Sequence, residues 1–296
     1  MRMFYRKKIL LNLLNTFGGK LDKIFFTKLL FLFCVSDEKY RQYEFVPYQY
    51  GAFSFTAYSD INGLKKENIV CEDSNCFVLQ QFDKQAYKIT KDDTEKIDSL
   101  YWQFNGKTSD ELMKITYVNY PYYAKNSKRK DLIAAEIKKA IKTAVSNNNN
   151  ITLFDIGYEG KSLEAYLNLL IKNNIKTLVD VRKNPISMKY GFSKSFLSKR
   201  TKDLDIEYIH IPELGIESDK RQSLNSFEDY QNLFANYEDT TLKRNIKSVE
   251  KVYDILMQDK RIAITCFEAD KNYCHRYRIV KCINNFYPNE FETEHL

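Results

Sequence analysis

Side chains that can take part in acid–base, nucleophilic or metal chemistry are concentrated near the C-terminal end of the sequence. A predicted strand at residues 261–266 leads into an acidic segment, and a predicted helix begins at about residue 273. Within eleven positions the sequence has six capable side chains: Cys266, Glu268, Asp270, Cys274, His275 and Arg276. Open α/β sheets bind ligands beyond the carboxyl ends of their strands. This concentration therefore predicts a functional site.

The sequence disfavours two kinds of metal site. Zinc would use Cys266, Cys274 and His275, but adjacent Cys and His residues on a helix are not expected to face one ion, and no fourth ligand follows at a zinc-like spacing. A magnesium-dependent nuclease would use several converging acidic residues. The available set is Asp155, Asp180 and Glu268. Each is expected to lie near a basic partner. We therefore expect no metal and no cofactor.

Cysteine chemistry is a further alternative. Cys266 ends a predicted strand, but the acidic Glu268 and Asp270 that follow would raise the pKa of its thiol and repel an anionic substrate. Cys274 is predicted to lie at a helix N-terminus beside Arg276. Because free cysteines are among the most buried residues, both are interpreted as buried thiols.

A metal-free crevice with carboxylates, arginines and rings suits cleavage of an N-glycosidic bond. A carboxylate can stabilise the oxocarbenium-like sugar or activate water, and aromatic rings can hold an extruded base. The predicted catalytic residues are Asp180, Glu268 and His275. The predicted substrate-binding residues are Gly157, Tyr158, Arg182, Tyr190, Phe192, Glu213 and Arg276. The sequence thus favours a metal-independent DNA glycosylase that excises a flipped, modified base in defence against foreign DNA. Two alternatives stay open: a non-catalytic DNA-binding regulator whose crevice binds a nucleotide, and a magnesium-dependent nuclease.

The elements that position these residues alternate between strand and helix patterns over residues 151–296. Nearly continuous apolar runs are typical of parallel strands that are buried on both faces. Alternation predicts a parallel sheet in a three-layer α/β domain. The predicted strands are 151–156, 177–181, 206–211 and 261–266. His295 is placed in a C-terminal tail.

Several short motifs of this half occur together and in a fixed order. They are Ile156-Gly157-Tyr158, Val179-Asp180-Val181-Arg182 with Pro185, Pro212-Glu213-Leu214-Gly215, Cys266-Phe267-Glu268-Ala269-Asp270 and Cys274-His275-Arg276. On these motifs, residues 152 to about 284 resemble the domain-of-unknown-function family 488. The resemblance implies a fold and a set of motifs but no settled reaction.

The first half, residues 1–145, has a different pattern. Helices are predicted at 6–17, 21–35 and 55–66, followed by short strands at 68–70 and 77–79, which is winged-helix order. Tyr50-Gly51-Ala52-Phe53-Ser54 and the helix after it resemble the Panacea (SocA-like) family, with Ala52 in place of Pro and Asn68 in place of Gly. A polar break at 146–150 separates this winged-helix-like α+β domain from the α/β domain at 151–296.

Basic residues of the first half predict contact with nucleic acid, and double-stranded DNA is the expected partner. Lys65 and Lys66 end the helix that would lie against DNA. A run of tyrosines precedes a second group of cations: Lys125, Lys128, Arg129 and Lys130. Rings followed by cations can stack on bases and bind phosphates. The same tyrosines also fit an interdomain seam in which their rings are buried. A winged helix can equally be a protein–protein or intramolecular packing module.

Composition and cysteine spacing argue against a membrane protein and against a disulfide-rich protein. Net charge is +7, with 22 Tyr and 20 Phe. No apolar run reaches the ~18 residues of a membrane span, so no membrane association is expected. The six cysteines have neither disulfide-framework nor Cys-x-x-Cys spacing, which favours a reducing, cytoplasmic location. The oligomeric state is not predicted.

Overall fold

The computed structural model describes residues 3–36, 42–144, 148, 150–221 and 224–296. The chain divides into two units, Met1–Ala144 and Val145–Leu296. Residues 146, 147 and 149 of the predicted polar break lie outside the described residues. Each unit has its own buried apolar core.

The first unit is an α+β fold. Its elements are α1 Tyr5–Thr16, β1 Lys20–Asp22, α2 Lys23–Val35, β2 Val46–Tyr48, β3 Gly51–Phe53, α3 Phe55–Lys66, β4 Val70–Asp73, β5 Cys76–Leu79, α4 Lys91–Phe104, α5 Ser109–Asn119 and α6 Ala135–Thr143. The three predicted helices and the hairpin are present. The strands β2 and β3 and the helices α4 and α5 were not predicted.

The first sheet explains where the second helix begins. Strand β1 pairs antiparallel with β5, and β5 pairs antiparallel with β4. Asp22 ends β1 and caps α2, because its carboxylate accepts hydrogen bonds from the backbone amides of Ile24 and Phe25. The predicted helix start at residue 21 was therefore two residues early.

The second unit is an α/β fold. Its elements are β6 Thr152–Gly157, α7 Leu163–Lys172, β7 Thr177–Asp180, α8 Lys194–Lys202, β8 Glu207–His210, α9 Phe227–Tyr237, α10 Ile246–Asp259, β9 Arg261–Cys266, α11 His275–Phe286 and β10 Glu292–His295. The strand order is β10-β6-β9-β7-β8, and all neighbouring pairs are parallel. This confirms the predicted fold class.

Helices cover both faces of the parallel sheet. On one face, side chains such as Leu153, Val179 and Ile264 pack with residues of α9, α10 and α11. On the other face, Tyr166 of α7 donates a hydrogen bond to Thr265 of β9. Alternate residues of a strand point to opposite faces, so the position of a residue in its strand decides which helices it meets.

The C-terminal tail is a fifth strand. Strand β10 pairs in parallel with β6, and His295 forms an ion pair with Asp155 of β6. The prediction that His295 lies in a C-terminal tail was wrong, because this residue belongs to a strand of the sheet. The segment Glu292–His295 has no apolar residue and is exposed, so hydrophobic periodicity gives no signal for an edge strand of this kind.

Among the described residues, no helix has the length and apolar character needed to span a membrane.

Candidate functional site

The predicted site residues form two groups on opposite faces of the parallel sheet. Asp180 is paired in register with Thr265, whereas Cys266 is paired with Gly157. Thr265 and Cys266 are consecutive in β9, so their side chains point to opposite faces. The prediction of one shared crevice was therefore wrong, because it did not take this alternation into account.

On the α7 face, Asp180 and Arg182 form a buried ion pair. Arg182 Nη2 lies 2.5 Å from Asp180 Oδ2, and Tyr208 donates to the same oxygen at 2.5 Å. The backbone amide of Arg182 donates to Asp180 Oδ1 at 3.0 Å. Asp180 is completely buried. A carboxylate with this many partners has the environment of a structural group, and its predicted catalytic role is untested.

The rings of this face pack on one another. Tyr158 and Phe192 are buried and stack with their centroids 4.3 Å apart and their planes 9° from parallel. Arg182 donates from Nη1 to the Tyr158 hydroxyl at 3.0 Å and to the Phe192 carbonyl at 2.8 Å. The space between the rings is too small for a base. Tyr190 is 42% exposed and packs edge-on against Phe196. The prediction that Tyr158 and Phe192 sandwich a base does not agree with this geometry.

On the α11 face, five polar side chains form a cluster that we call the thiol cluster: Cys266, Cys274, His275, Glu268 and Arg221. Cys266 Sγ lies 3.3 Å from Glu268 Oε2 and 3.7 Å from His275 Nδ1. Arg221 donates from Nη1 to Glu268 Oε1 at 2.6 Å, and its Nη2 lies 2.8 Å from His275 Nδ1. Both cysteines and His275 are buried, whereas the side chains of Glu268 and Arg221 are 18% and 30% exposed.

The two thiols of the cluster differ in their acidity. A hydrogen bond from Cys274 holds the pKa of Cys266 well below its ordinary value, and the neighbouring His275 and Arg221 add to this effect against the opposing effect of burial. Burial raises the pKa of Cys274 well above its ordinary value. Burial also raises the pKa of Glu268, and the neighbouring Cys266 adds to that rise. Cys266 is therefore the more acidic thiol of the pair.

The hydrogen bond of His275 to the backbone defines its tautomer. Its Nε2 lies 3.2 Å from the carbonyl oxygen of Val181, which can only accept. Nε2 therefore carries a proton, and the lone pair of Nδ1 points toward Cys266 and Arg221.

Arg221 was not identified from the sequence. It belongs to the short 3₁₀ helix Ser218–Arg221, far in sequence from Cys266. No periodic pattern marks this segment. The available signal was the charged run Asp219-Lys220-Arg221 shortly after Gly215.

Arg276 and Gly157 hold the backbone of the loop that carries Glu268. Arg276 is buried, forms an ion pair with Asp155 at 2.8 Å, and donates to the carbonyl oxygens of Glu268 and Ala269. An added Cβ at Gly157 would lie 1.8 Å from the Glu268 carbonyl oxygen. Both residues were predicted to bind substrate, and their observed contacts are with this loop.

Glu213 lies away from the thiol cluster. It is exposed and lines a cleft of about 230 Å³ together with Lys183, Lys220, Arg244 and Tyr237. Tyr237 packs edge-on against His275, with ring centroids 5.6 Å apart. Glu213 thus borders a cleft next to the cluster and does not belong to it. Asp270 is exposed and caps the 3₁₀ helix Lys271–Tyr273.

The expectation that adjacent Cys274 and His275 do not face one ion was wrong. One donor atom from each of Cys266, Cys274 and His275 lies within 4.8 Å of the other two. Cys274 is the N-cap residue of α11 and has an extended backbone, with φ −129° and ψ 134°. Cys274 therefore precedes the first helical residue, and its side chain is not separated from that of His275 by a helical step.

Several of the basic residues predicted to bind nucleic acid are already paired within the first unit. Lys65 Nζ lies 2.8 Å from Glu72, and Arg129 bonds Asp110 and Asp131. Lys66, Lys128 and Lys130 are exposed, whereas Lys125 is half-buried. DNA binding by these six residues stays a prediction.

The tyrosine run before the second group of cations is part of the packing of the first unit. Tyr117 is buried, and Tyr120 and Tyr123 pack edge-on against Phe31. These three rings thus pack within the first unit, and stacking of the tyrosine run on bases stays a prediction.

Comparison with known proteins gives one result for the second unit. No curated protein and no solved structure has a significant match to the chain. Residues 162–283 match a family model, and this range contains Asp180, Glu213, Glu268 and His275. This part of the second unit is therefore similar to the family described as Domain of unknown function DUF488.

Proposed function

We propose that the second unit is a hydrolase that cleaves an N-glycosidic bond in DNA, with Glu268 as its essential carboxylate. Such a reaction needs one carboxylate that reaches the sugar, to stabilise positive charge or to activate water. The proposal includes the defence role inferred from the sequence, in which the substrate is foreign DNA that carries modified bases.

The observation that carries the proposal is the position of Glu268. Its side chain is partly exposed at the carboxyl end of β9, and Arg221 holds one of its oxygens at 2.6 Å. The other two candidate carboxylates, Asp155 and Asp180, are completely buried and bonded to Arg276 and Arg182. Glu268 is thus the member of this set that a substrate can reach.

Side chains around Glu268 fit a base and its flanking phosphates. Phe267 and Tyr273 flank the loop and are 42% and 38% exposed. Such rings can stack on a base that has left the duplex. Lys161 and Lys189 lie at the same edge of the sheet, where they donate to the carbonyl oxygens of Gly157 and Tyr158. Their charges favour a phosphate group nearby.

The test uses the purified full chain and labelled duplex DNA, unmodified or carrying a panel of modified and damaged bases. Cleavage that appears after alkali treatment reports abasic sites, whereas nicks without alkali report strand hydrolysis. We expect alkali-dependent cleavage of at least one modified duplex. Glu268→Gln should lower its rate by about 100-fold or more, because general acid–base groups contribute at least that factor.

Glu250→Gln is the matched control, since Glu250 is exposed on α10 and outside the thiol cluster. It should cleave at the parental rate. Cleavage that survives in Glu268→Gln would contradict the role of this carboxylate. Direct nicking would point to nuclease chemistry.

A non-catalytic DNA-binding regulator is the second candidate. The observations that favour it are the buried Asp180–Arg182 ion pair and the mutual stacking of Tyr158 and Phe192, which give these four residues roles in the fold. Binding of DNA with no product from any duplex of the panel would support this candidate and contradict the hydrolase.

A further inference from the structure

We propose that Cys266, Cys274 and His275 bind a zinc ion in the second unit. The three residues converge from two elements, the end of β9 and the start of α11. Their donor atoms lie within 4.8 Å of one another, and all three side chains are buried. Two thiolates and one imidazole form a donor set that zinc prefers.

The spacing of the donors fits tetrahedral coordination. Zinc–sulfur bonds of about 2.3 Å and zinc–nitrogen bonds of about 2.0 Å place sulfur and nitrogen about 3.5 Å apart at two corners of a tetrahedron. Cys266 Sγ and His275 Nδ1 are 3.7 Å apart. This pair already has nearly the separation of two zinc ligands, and all three donor atoms lie within 4.8 Å of one another.

The backbone contact of His275 orients it as a ligand. Metal-binding histidines almost always donate their other ring N–H to a carboxylate, a backbone carbonyl or water. Here Nε2 faces the Val181 carbonyl at 3.2 Å, which leaves Nδ1 as the donor to the ion. Val181 is buried in the core of the sheet, so this contact fixes the imidazole plane.

Two charged side chains, Arg221 and Glu268, lie next to the three ligands. Arg221 faces Nδ1 at 2.8 Å, and the ion would replace this contact. Arg221 would keep its ion pair with Glu268, and its partly exposed side chain has room to move. Glu268 Oε2 lies 3.3 Å from Cys266 Sγ and borders the fourth coordination position. Three protein ligands with an open fourth position are typical of catalytic zinc sites. A catalytic role for this zinc ion rests on the proposed hydrolase function, whereas binding of the ion does not.

The test measures metal directly. The full chain would be treated with a chelator, dialysed, and titrated with Zn²⁺ in competition with a chromophoric chelator. We expect about one zinc ion per chain, as for a single site. The Co²⁺ form should show a thiolate-to-cobalt charge-transfer band in the near ultraviolet, because two thiolates would bind the ion.

Substitution of the ligands distinguishes this site from adventitious binding. Cys266→Ser and His275→Gln should each weaken zinc binding by more than 100-fold, since loss of an outer-shell partner already costs about 10- to 100-fold. Cys282→Ser is the matched control, because Cys282 lies on the same helix and is half-buried. It should bind zinc as the parent does. Far-ultraviolet circular dichroism would confirm that each variant is folded.

Outcomes of this test and of the DNA test are separable. Failure of the parent protein to compete for zinc, or absence of the cobalt band, would overturn the metal site whatever the DNA result. Stoichiometric zinc without any DNA product would support the metal site and contradict the hydrolase. Equal DNA cleavage by zinc-loaded and zinc-free protein would support the hydrolase and restrict the ion to a structural role.

Discussion

At the scale of single residues, two acidic side chains of the second unit have different environments and should respond differently to the same change. Asp180 is buried between Arg182 and Tyr208, whereas Glu268 is partly exposed beside Arg221. Removal of one partner of a buried ion pair leaves an uncompensated charge, while a partly exposed pair contributes little.

We therefore expect Asp180→Asn to lower the free energy of unfolding by about 3–5 kcal/mol and Glu268→Gln to change it by less than about 1 kcal/mol. Urea denaturation of the full chain, followed by circular dichroism, measures both values. Equal destabilisation by the two variants would contradict the division between a structural and an accessible carboxylate.

Lys28 in the first unit has an environment that makes stability depend on pH. It is buried on α2 and donates to the carbonyl oxygen of Ala52 at 2.8 Å. Burial lowers the pKa of Lys28 to about 7 from its ordinary 10.5. Between these two values the unfolded chain binds more protons than the folded chain. Stability should therefore rise as pH is raised through this window.

Replacement of this lysine isolates the effect. Relative to Lys28→Met, the parent should gain on the order of 4 kcal/mol of stability between pH 7 and pH 10, since one pKa unit corresponds to about 1.4 kcal/mol. The difference in unfolding free energy between the two proteins, measured at each pH, cancels the titration of other groups. A pH-independent difference would show that Lys28 keeps its ordinary pKa.

At the scale of elements, the carboxyl end of β6 is fixed by its contact with the loop after β9. Gly157 lies so close to this loop that an added Cβ would come within 1.8 Å of the Glu268 carbonyl oxygen, a backbone atom that cannot move without the loop. The absence of a side chain at Gly157 is therefore a requirement of the close approach of two backbones.

Gly157→Ala should destabilise the second unit by about 1–3 kcal/mol, the range for overpacking of a close-packed region. Gly63→Ala in α3 is a control, because its added Cβ would meet only the flexible end of Lys7. Helix propensity then favours alanine by up to about 1 kcal/mol. Thermal unfolding of both variants measures the contrast, and an unchanged melting temperature for Gly157→Ala would contradict the close contact.

Strand β10 is a second element that we expect to stabilise the second unit. It covers the edge of β6, and His295 pairs with the buried Asp155. Deletion of residues 292–296 should lower the melting temperature and increase hydrogen exchange of the β6 amides, because unpaired edge groups then face water. Exchange in β8, at the far edge of the sheet, provides the internal control. Unchanged exchange in β6 would show that β10 does not stabilise the sheet.

At the scale of the whole molecule, the chain has two units with separate cores. A domain with its own core is expected to fold by itself. Residues 3–144 and 150–296, produced separately, should each show cooperative thermal unfolding and the helix content of the same region in the full chain. A fragment that stays unfolded would show that its stability depends on the other unit.

The sequence by itself determined the fold class of each half and the segment of the chain in which the reactive residues lie. Hydrophobic periodicity depends on local contacts of strands and helices, and it predicted the buried strands β6, β7 and β9 within one or two residues. It also indicated that Cys266, Glu268, Cys274 and His275 lie at one strand-to-helix transition. It did not predict β10, whose residues are polar and whose pairing with β6 is long-range.

The tertiary structure decided which of these residues meet. The alternation of side chains in β7 and β9 placed Asp180 and Cys266 on opposite faces, and the fold brought Arg221 from a distant loop to Glu268 and His275. The donor atoms of Cys274 and His275, at the start of α11, lie together with that of Cys266 at the end of β9. These relations depend on the register of neighbouring strands and on contacts between residues far apart in the chain. Residue types and local spacing do not determine the strand register or these long-range contacts.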